Sequence, residues 1–287
     1  MLRQIHAKDI VLASVFTIVG LIAGPFVANF LNDYISVTPS RLVRLLENSE
    51  VEEFNDLRKQ LKQQIVFDRI DLSNKDLSGA NLRSLIILHS NLTNTKLENA
   101  VLADVQVSGD LSNVDLRNAN LSNADLSNTD LSNADLSNTF LRRTDLSGAD
   151  LTGADLSNSF LLRADLSGAV LDRADLSGAV LHRADLSNAA LFIADLSGVF
   201  LYSADLSNAD LNSAELTNAT LFNADLTNTD LRWSDLTNAD LSLANLNDSI
   251  FNCESLQTTN FTVNTTEINI VEDVDDSLKV KEVSSCQ

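Results

Sequence analysis

From Leu111 to Leu246 every fifth residue is leucine, 28 times without a break. Two positions before each leucine sits a small residue, which is Ala in 19 of the 28 units and Ser, Thr, Gly or Val in the others. The remaining positions are mostly Asp, then Ser or Thr, then Asn or Gly. A period of five fits neither regular structure. On an α-helix five residues advance about 500°, so the leucines would spiral round the axis instead of forming a stripe. On a strand side chains alternate with period two, so leucines five apart would fall on opposite faces. The chain must therefore turn once per unit, and Asn, Asp, Ser and Gly are the residues that favour turns. One such unit cannot bury its leucine alone. Successive coils must stack, which predicts an all-β solenoid.

Two adjacent units read ADLSN ADLSN over Ala124–Asn133. They resemble the A(D/N)LXX motif of the pentapeptide-repeat proteins, and the resemblance covers about residues 65 to 263. It implies a right-handed quadrilateral β-helix with four five-residue sides per coil. The central Leu or Phe and the small residue two before it would point inward. Phe67, Ile87, Val107, Phe251 and Phe261 suit the same central role. The stretch VEEFNDLR, Val51–Arg58, also resembles a segment that commonly precedes such repeats.

The repeat slips once. Central positions run from 67 to 107 in steps of five, then resume at 111, so one residue is missing around Ser108 and Gly109. Counting across the slip gives 40 units, or ten four-sided coils. At about 4.8 Å per coil the rod would be roughly 48 Å long. A local bulge or bend is expected there, with Gly109 permitting unusual backbone angles.

Ahead of the repeat, Ile10 to Leu31 form 22 residues without a charge, long enough to cross a bilayer. A cleaved signal peptide fits less well, because cleavage after Ala28 would place Phe26 where a small residue is preferred. A buried core helix would need an apolar partner that nothing nearby supplies. Arg3, Lys8 and the amino terminus lie closer to the segment than Arg41 and Arg44. The amino end is thus expected to stay cytoplasmic, with the repeat domain extracytoplasmic, in a periplasm or lumen. Gly20, Gly24 and Ala28 share one helix face and offer a route to self-association, although small residues in an apolar run also recur by chance.

Residues 39 to 64 look helical. Pro39 suits a first helical position after Thr38, and Leu42, Leu45 and Leu46 recur at helical spacing. Ser49 with Glu52 makes a capping-box pattern before Val51, Phe54, Leu57 and Leu61. The expected plan is therefore a tail and transmembrane helix over 1–36 and a helical connector and cap over 37–64. The β-helix then runs over 65–264, and an acidic tail over 265–287. Ile268, Ile270 and Val271 of that otherwise loose tail could cover the last coil.

Units twenty residues apart share a side. Two opposite sides carry acids almost uniformly: Asp125 to Asp225 in steps of twenty, and Asp115 to Asp235 with Glu215 among them. Such ladders admit a cation-binding or DNA-mimicking role, or simply Asp residues bonding to their own turns. The other two sides break the pattern. One presents Phe140, Phe160, Val180 and Phe200 in register, beside Leu162, His182, Tyr202 and Phe222, with Arg142, Arg143, Arg163 and Arg183 at the edge. Its opposite carries Val170, Phe192, Ile193 and Trp233. Aromatics and Arg are enriched at interface hot spots, so both are candidate protein-binding surfaces. Stacking between like residues of neighbouring coils is the alternative.

The net charge is −20, of which residues 65 to 264 carry −16, so acidity belongs mainly to the repeat. It argues against direct nucleic-acid binding, which needs a positive surface. Cys253 and Cys286 cannot form a disulfide framework or a four-ligand zinc site. His6, His89 and His182 are scattered, and no phosphate loop or GxSxG elbow occurs. No enzyme, cofactor or metal site is expected. The expected function is a membrane-anchored binding or scaffolding rod with a protein partner. The alternatives are weak cation binding, or a DNA mimic acting on an enzyme such as gyrase, as the resemblance allows.

Overall fold

The computed structural model describes residues 38–61 and 64–252 in full, and the backbone of 269–274 and 277–281. The expected membrane segment and its Gly20, Gly24 and Ala28 face lie outside the described residues. Among the described residues no helix is long and apolar enough to cross a membrane.

Two short helices open the described chain, α1 over Pro39–Glu47 and α2 over Val51–Arg58. Thr38 caps α1, its Oγ1 accepting the Arg41 amide at 3.2 Å. Ser49 does not cap α2. It adopts a left-handed φ of 60° and ends α1, with its amide bonded to Leu46 and the Glu50 amide to Leu45. A residue that ends one helix in this conformation cannot also take the extended backbone of an N-cap. α2 therefore starts from Glu50 without a side-chain cap.

Both helices turn their apolar faces onto the first coil. Leu42, Val43, Leu45, Leu46, Phe54 and Leu57 are buried in one continuous core with Ile65, Phe67 and Leu72. The first coil has no coil beneath it, so its backbone needs other partners. The Asn55 side chain donates to the Gly79 carbonyl at 3.0 Å and accepts the Asn81 amide at 2.7 Å. Ser49 Oγ accepts the Asp76 amide at 3.3 Å.

From there the chain winds in five-residue sides. Residues twenty apart meet in parallel bridges, as in Asp125 with Asp145 and Asp145 with Asp165. Within a unit the Ala124 amide bonds to the Leu121 carbonyl at 3.0 Å, and Asn123 between them has a φ of 57°. This is a type II turn, whose third residue needs positive φ and so selects Asn or Gly. Between coils, the amides of Leu126, Asn128 and Asp145 bond to Asp145, Ser147 and Ala124. The leucine and alanine of each unit point inward and are essentially fully buried. Each buried leucine contributes about 1.5–3 kcal/mol of apolar transfer energy.

The slip is a bulge. Strands β1 (Val66–Asp68), β2 (Ile86–Asn91) and β3 (Gln106–Asp110) form a parallel sheet on one side. Leu88 and His89 of β2 stand opposite Ser108 alone. Partners are nineteen apart from Lys96–Asp115 to Gln106–Asp125, and twenty apart again from Asp110–Asp130 onward. Stacking thus continues through a side that is one residue short. Gly109, at φ 137°, lies so close to β2 that a Cβ would stand 2.0 Å from the Ser90 carbonyl oxygen.

At the far end β4 (Ile250–Phe251) pairs in parallel with β5 (Asn269–Val274), which pairs antiparallel with β6 (Ser277–Lys281). Within the tail, Ile270, one of the three residues suited to cover the last coil, pairs with Phe251. The last two expected units, centred on Leu256 and Phe261, lie outside the described residues.

Candidate binding surface

On the two acidic sides every Asp bonds to its own turn. The amide two residues on donates to Oδ1 at 2.9–3.2 Å for Asp125, Asp145, Asp165, Asp185, Asp205 and Asp225. The same bond spans 2.8–3.2 Å for Asp115, Asp135, Asp155, Asp175, Asp195 and Asp235. The ladders are therefore turn chemistry repeated at coil spacing. Among the described residues no cluster of His, Cys, Asp or Glu is arranged to hold a metal ion.

The aromatic side gives this bond up. Phe140, Phe160, Val180, Phe200 and Thr220 occupy the Asp position on five successive coils. Phe140 and Phe160 stack with ring centroids 5.4 Å apart, yet remain 48% and 45% exposed. Tyr202 and Phe222 stack at 5.5 Å, and His182 meets the edges of Phe200 and Tyr202 at 6.2 and 5.9 Å. Stacking between coils is thus real, but it leaves these rings half in solvent.

Arg142, Leu162, Arg163, His182, Arg183 and Tyr202 line an open groove of about 350 Å³ on this side. The structure thus brings most of the first candidate set together, with Phe222 at one end and Phe140 at the other. His182 Nδ1 is buried there without a hydrogen-bond partner among the described residues.

Arginines gather in this region; elsewhere on the rod only Arg173, on the opposite side, is without an ion pair among the described residues. Arg69, Arg83, Arg117 and Arg232 all pair with carboxylates. Arg142, Arg143, Arg163 and Arg183 make no ion pair or side-chain hydrogen bond among the described residues. Three of them, Arg143, Arg163 and Arg183, hold the left-handed corner position that is Asn or Gly on most coils.

The second candidate set is not one patch. Val170, Phe192 and Ile193 lie on neighbouring coils, but the coil of Asp210 and Ser213 separates them from Trp233. Phe192 and Trp233 enter no ring pair among the described residues. Leu243, 51% exposed, was not singled out from sequence, although it prolongs the aromatic side beyond Phe222. Its corner position, two after Leu241, marks it as outward.

Parallel bridges at a twenty-residue period, coil upon coil, define a repeat solenoid. The chain belongs to the pentapeptide-repeat family, whose model matches residues 64–109, 110–148, 149–188, 184–221 and 214–252. Members of this family form right-handed quadrilateral β-helices, in keeping with the four-sided coils above. Among solved structures the chain is similar to HetL, a pentapeptide repeat protein involved in heterocyst differentiation regulation in the cyanobacterium Nostoc sp. strain PCC 7120. Identity is 34% over 65% of this chain and 87% of that one, with a TM-score of 0.46. A pentapeptide repeat protein of the Arabidopsis thaliana thylakoid lumen is 30% identical over 36% of this chain and 69% of its own, at a TM-score of 0.24. A plasmid-mediated fluoroquinolone resistance protein is 20% identical over 66% of this chain and 91% of its own, at 0.41. No match is found among curated proteins.

Proposed function

We propose that this chain is a non-catalytic rod that captures a protein partner on its aromatic side. The segment from Ile10 to Leu31 anchors it to a membrane, and the repeat domain stands on the extracytoplasmic face. One observation carries the reading: five successive coils replace the Asp that bonds their turn, and three of the replacements are exposed phenylalanines. Each lost bond is worth about 0.5–1.5 kcal/mol. Ring stacking between coils offsets part of that loss, but it leaves Phe140, Phe160 and Phe200 close to half exposed, and that exposed apolar area is what an interface would cover. The acidic ladders are accounted for by their turns, so nucleic-acid mimicry and cation binding draw no separate support from them.

Photo-crosslinking in intact cells tests this reading. A benzophenone amino acid at Phe160 should yield a discrete adduct that is absent when the same probe replaces Asn158 on an acidic side. The variant Phe160→Ser/Phe200→Ser should stay folded and lose the adduct formed from a probe at Tyr202. Crosslinks of equal yield from Phe160 and Asn158 would sink the proposal.

A further inference from the structure

The aromatic side has lost acceptors as well as charge. On the acidic sides, the amide two residues after each Asp is taken up by that Asp. The corresponding amides of Arg142, Leu162, His182, Tyr202 and Phe222 meet no acceptor among the described residues. The side chain that would take them is Phe, Phe, Val, Phe or Thr. On the opposite side Ala190 leaves the Phe192 amide in the same position, but Asp172 of the previous coil supplies an oxygen at 3.1 Å. Among the described residues the Asp172 amide, after Val170, is left free on that side, but it stands alone there, whereas the aromatic side leaves five on successive coils.

The result is a row of backbone donors at coil spacing, about 4.8 Å apart. Beside it stand four arginines without carboxylate partners. Apolar rings fill the space between. Donors and cations together call for carboxylates, and the half-exposed rings call for apolar side chains. Charge-assisted bonds from Arg and from backbone amides to carboxylate are the strongest of this kind.

Resting on the protein-binding reading above, we propose that the occupant is an acidic segment of a partner protein with apolar residues interspersed. Its carboxylates stand in for the missing Asp groups, accepting the free amides and pairing with Arg163 and Arg183. Its apolar side chains cover Phe140, Phe160, Leu162 and Tyr202. A second copy of the rod is the competing occupant, since a ladder carboxylate such as Asp115 accepts a turn amide and an arginine at once, and sedimentation separates the two.

Fluorescence anisotropy with the full-length chain in detergent micelles tests this. The probe is a labelled peptide of glutamate interspersed with leucine and phenylalanine, compared with its glutamine counterpart. The glutamate probe should bind at least about tenfold more tightly, an advantage that shrinks as salt rises. Arg163→Gln/Arg183→Gln should remove most of that advantage. Phe160→Asp/Phe200→Asp returns an internal acceptor to the amides of Leu162 and Tyr202, so it should abolish binding while keeping the unfolding temperature. Equal affinity for the two peptides, or binding unchanged in the arginine variant, would overturn the acidic occupant. Sedimentation that shows dimers dissolved by Phe160→Asp/Phe200→Asp would assign the side to a second copy and overturn it too. If the cellular crosslink from Phe160 persists while the glutamate probe fails, the protein-binding reading stands and only the acidic occupant falls. If both fail, both fall.

Discussion

The amide of Phe192 donates to Oδ1 of Asp172, one coil below, at 3.1 Å. Where the repeat loses its own Asp at Ala190, a neighbour restores the bond. Among the described residues the opposite side leaves one such amide free, that of Asp172 after Val170, whereas the aromatic side leaves five on successive coils, and that difference in number singles out the aromatic side. Asp172→Ala should therefore destabilise the rod by about 1 kcal/mol, as expected for one amide bond. Urea unfolding measures it. An unchanged midpoint would show that a free amide at this corner costs nothing, and would weaken the contrast.

Gly109→Ala should be among the most damaging single substitutions in the rod. Its Cβ would lie 2.0 Å from the Ser90 carbonyl oxygen, at a φ of 137°. A loss of about 3 kcal/mol or more is expected from that clash and strain. Gly168→Ala is the control: its φ is 63° and no atom lies within 4 Å of an added Cβ, so about 1 kcal/mol is expected. Similar thermal shifts for the two would contradict the tight approach of β3 to β2.

Ile193 holds a left-handed corner with φ 58°, a strained place for a β-branched residue, and is 47% exposed. Ile193→Asn restores the residue that most corners use. It should raise stability by about 1 kcal/mol, seen as a higher unfolding temperature. A fall would mean that Ile193 packs more than its exposure indicates.

Asn55→Ala removes both bonds that α2 makes to Gly79 and Asn81 of the first coil. About 1–3 kcal/mol should be lost locally, because the Asn81 amide is left without its acceptor. Hydrogen exchange at Asn81 should accelerate while exchange at Leu206, far along the rod, is unchanged. Uniform acceleration would instead mean that the cap and the rod unfold as one unit.

Acid should loosen the rod through its turns. Hydrogen bonds from Ser73, Ser78 and Ser242 hold the carboxyls of Asp71, Asp76 and Asp240 below the usual carboxylate range, and the Arg117 side chain does the same for Asp115. A carboxyl with a lowered folded pKa contributes stability that is complete above its unfolded pKa, near 3.8. That stability is lost as pH falls below this value through the folded pKa. Stability measured by urea should thus be flat above about pH 5 and fall steeply below about pH 4. A fall beginning near neutrality would point to other groups.

Most of the architecture was legible because a five-residue period admits only one way to keep Leu126, Leu131 and Leu136 inside together. The cap was legible from Pro39 and the spacing of Leu42, Leu45 and Leu46. Ser49 was misread, since the pattern Ser-x-x-Glu carries no sign that its backbone is needed to end the preceding helix. In the tail, Ile270 was legible as a candidate cover of the last coil, but the strands themselves were not, because β5 is set by pairing to β4 and β6 by pairing to β5. The aromatic side followed from the twenty-residue register of Phe140, Phe160 and Phe200. Its free amides did not, because that inference requires knowing which amide each Asp serves.

The nineteen- and twenty-residue spacing of the bridges carries one more consequence. Nearly every contact between coils closes a loop of the same modest length, whatever the length of the rod. Divided by the 287 residues of the chain, the typical separation gives a relative contact order of about 0.07, a value usual for helical bundles and low for an all-β protein. The rod should thus gain coils by successive short closures, at a rate set by one coil and not by the whole chain.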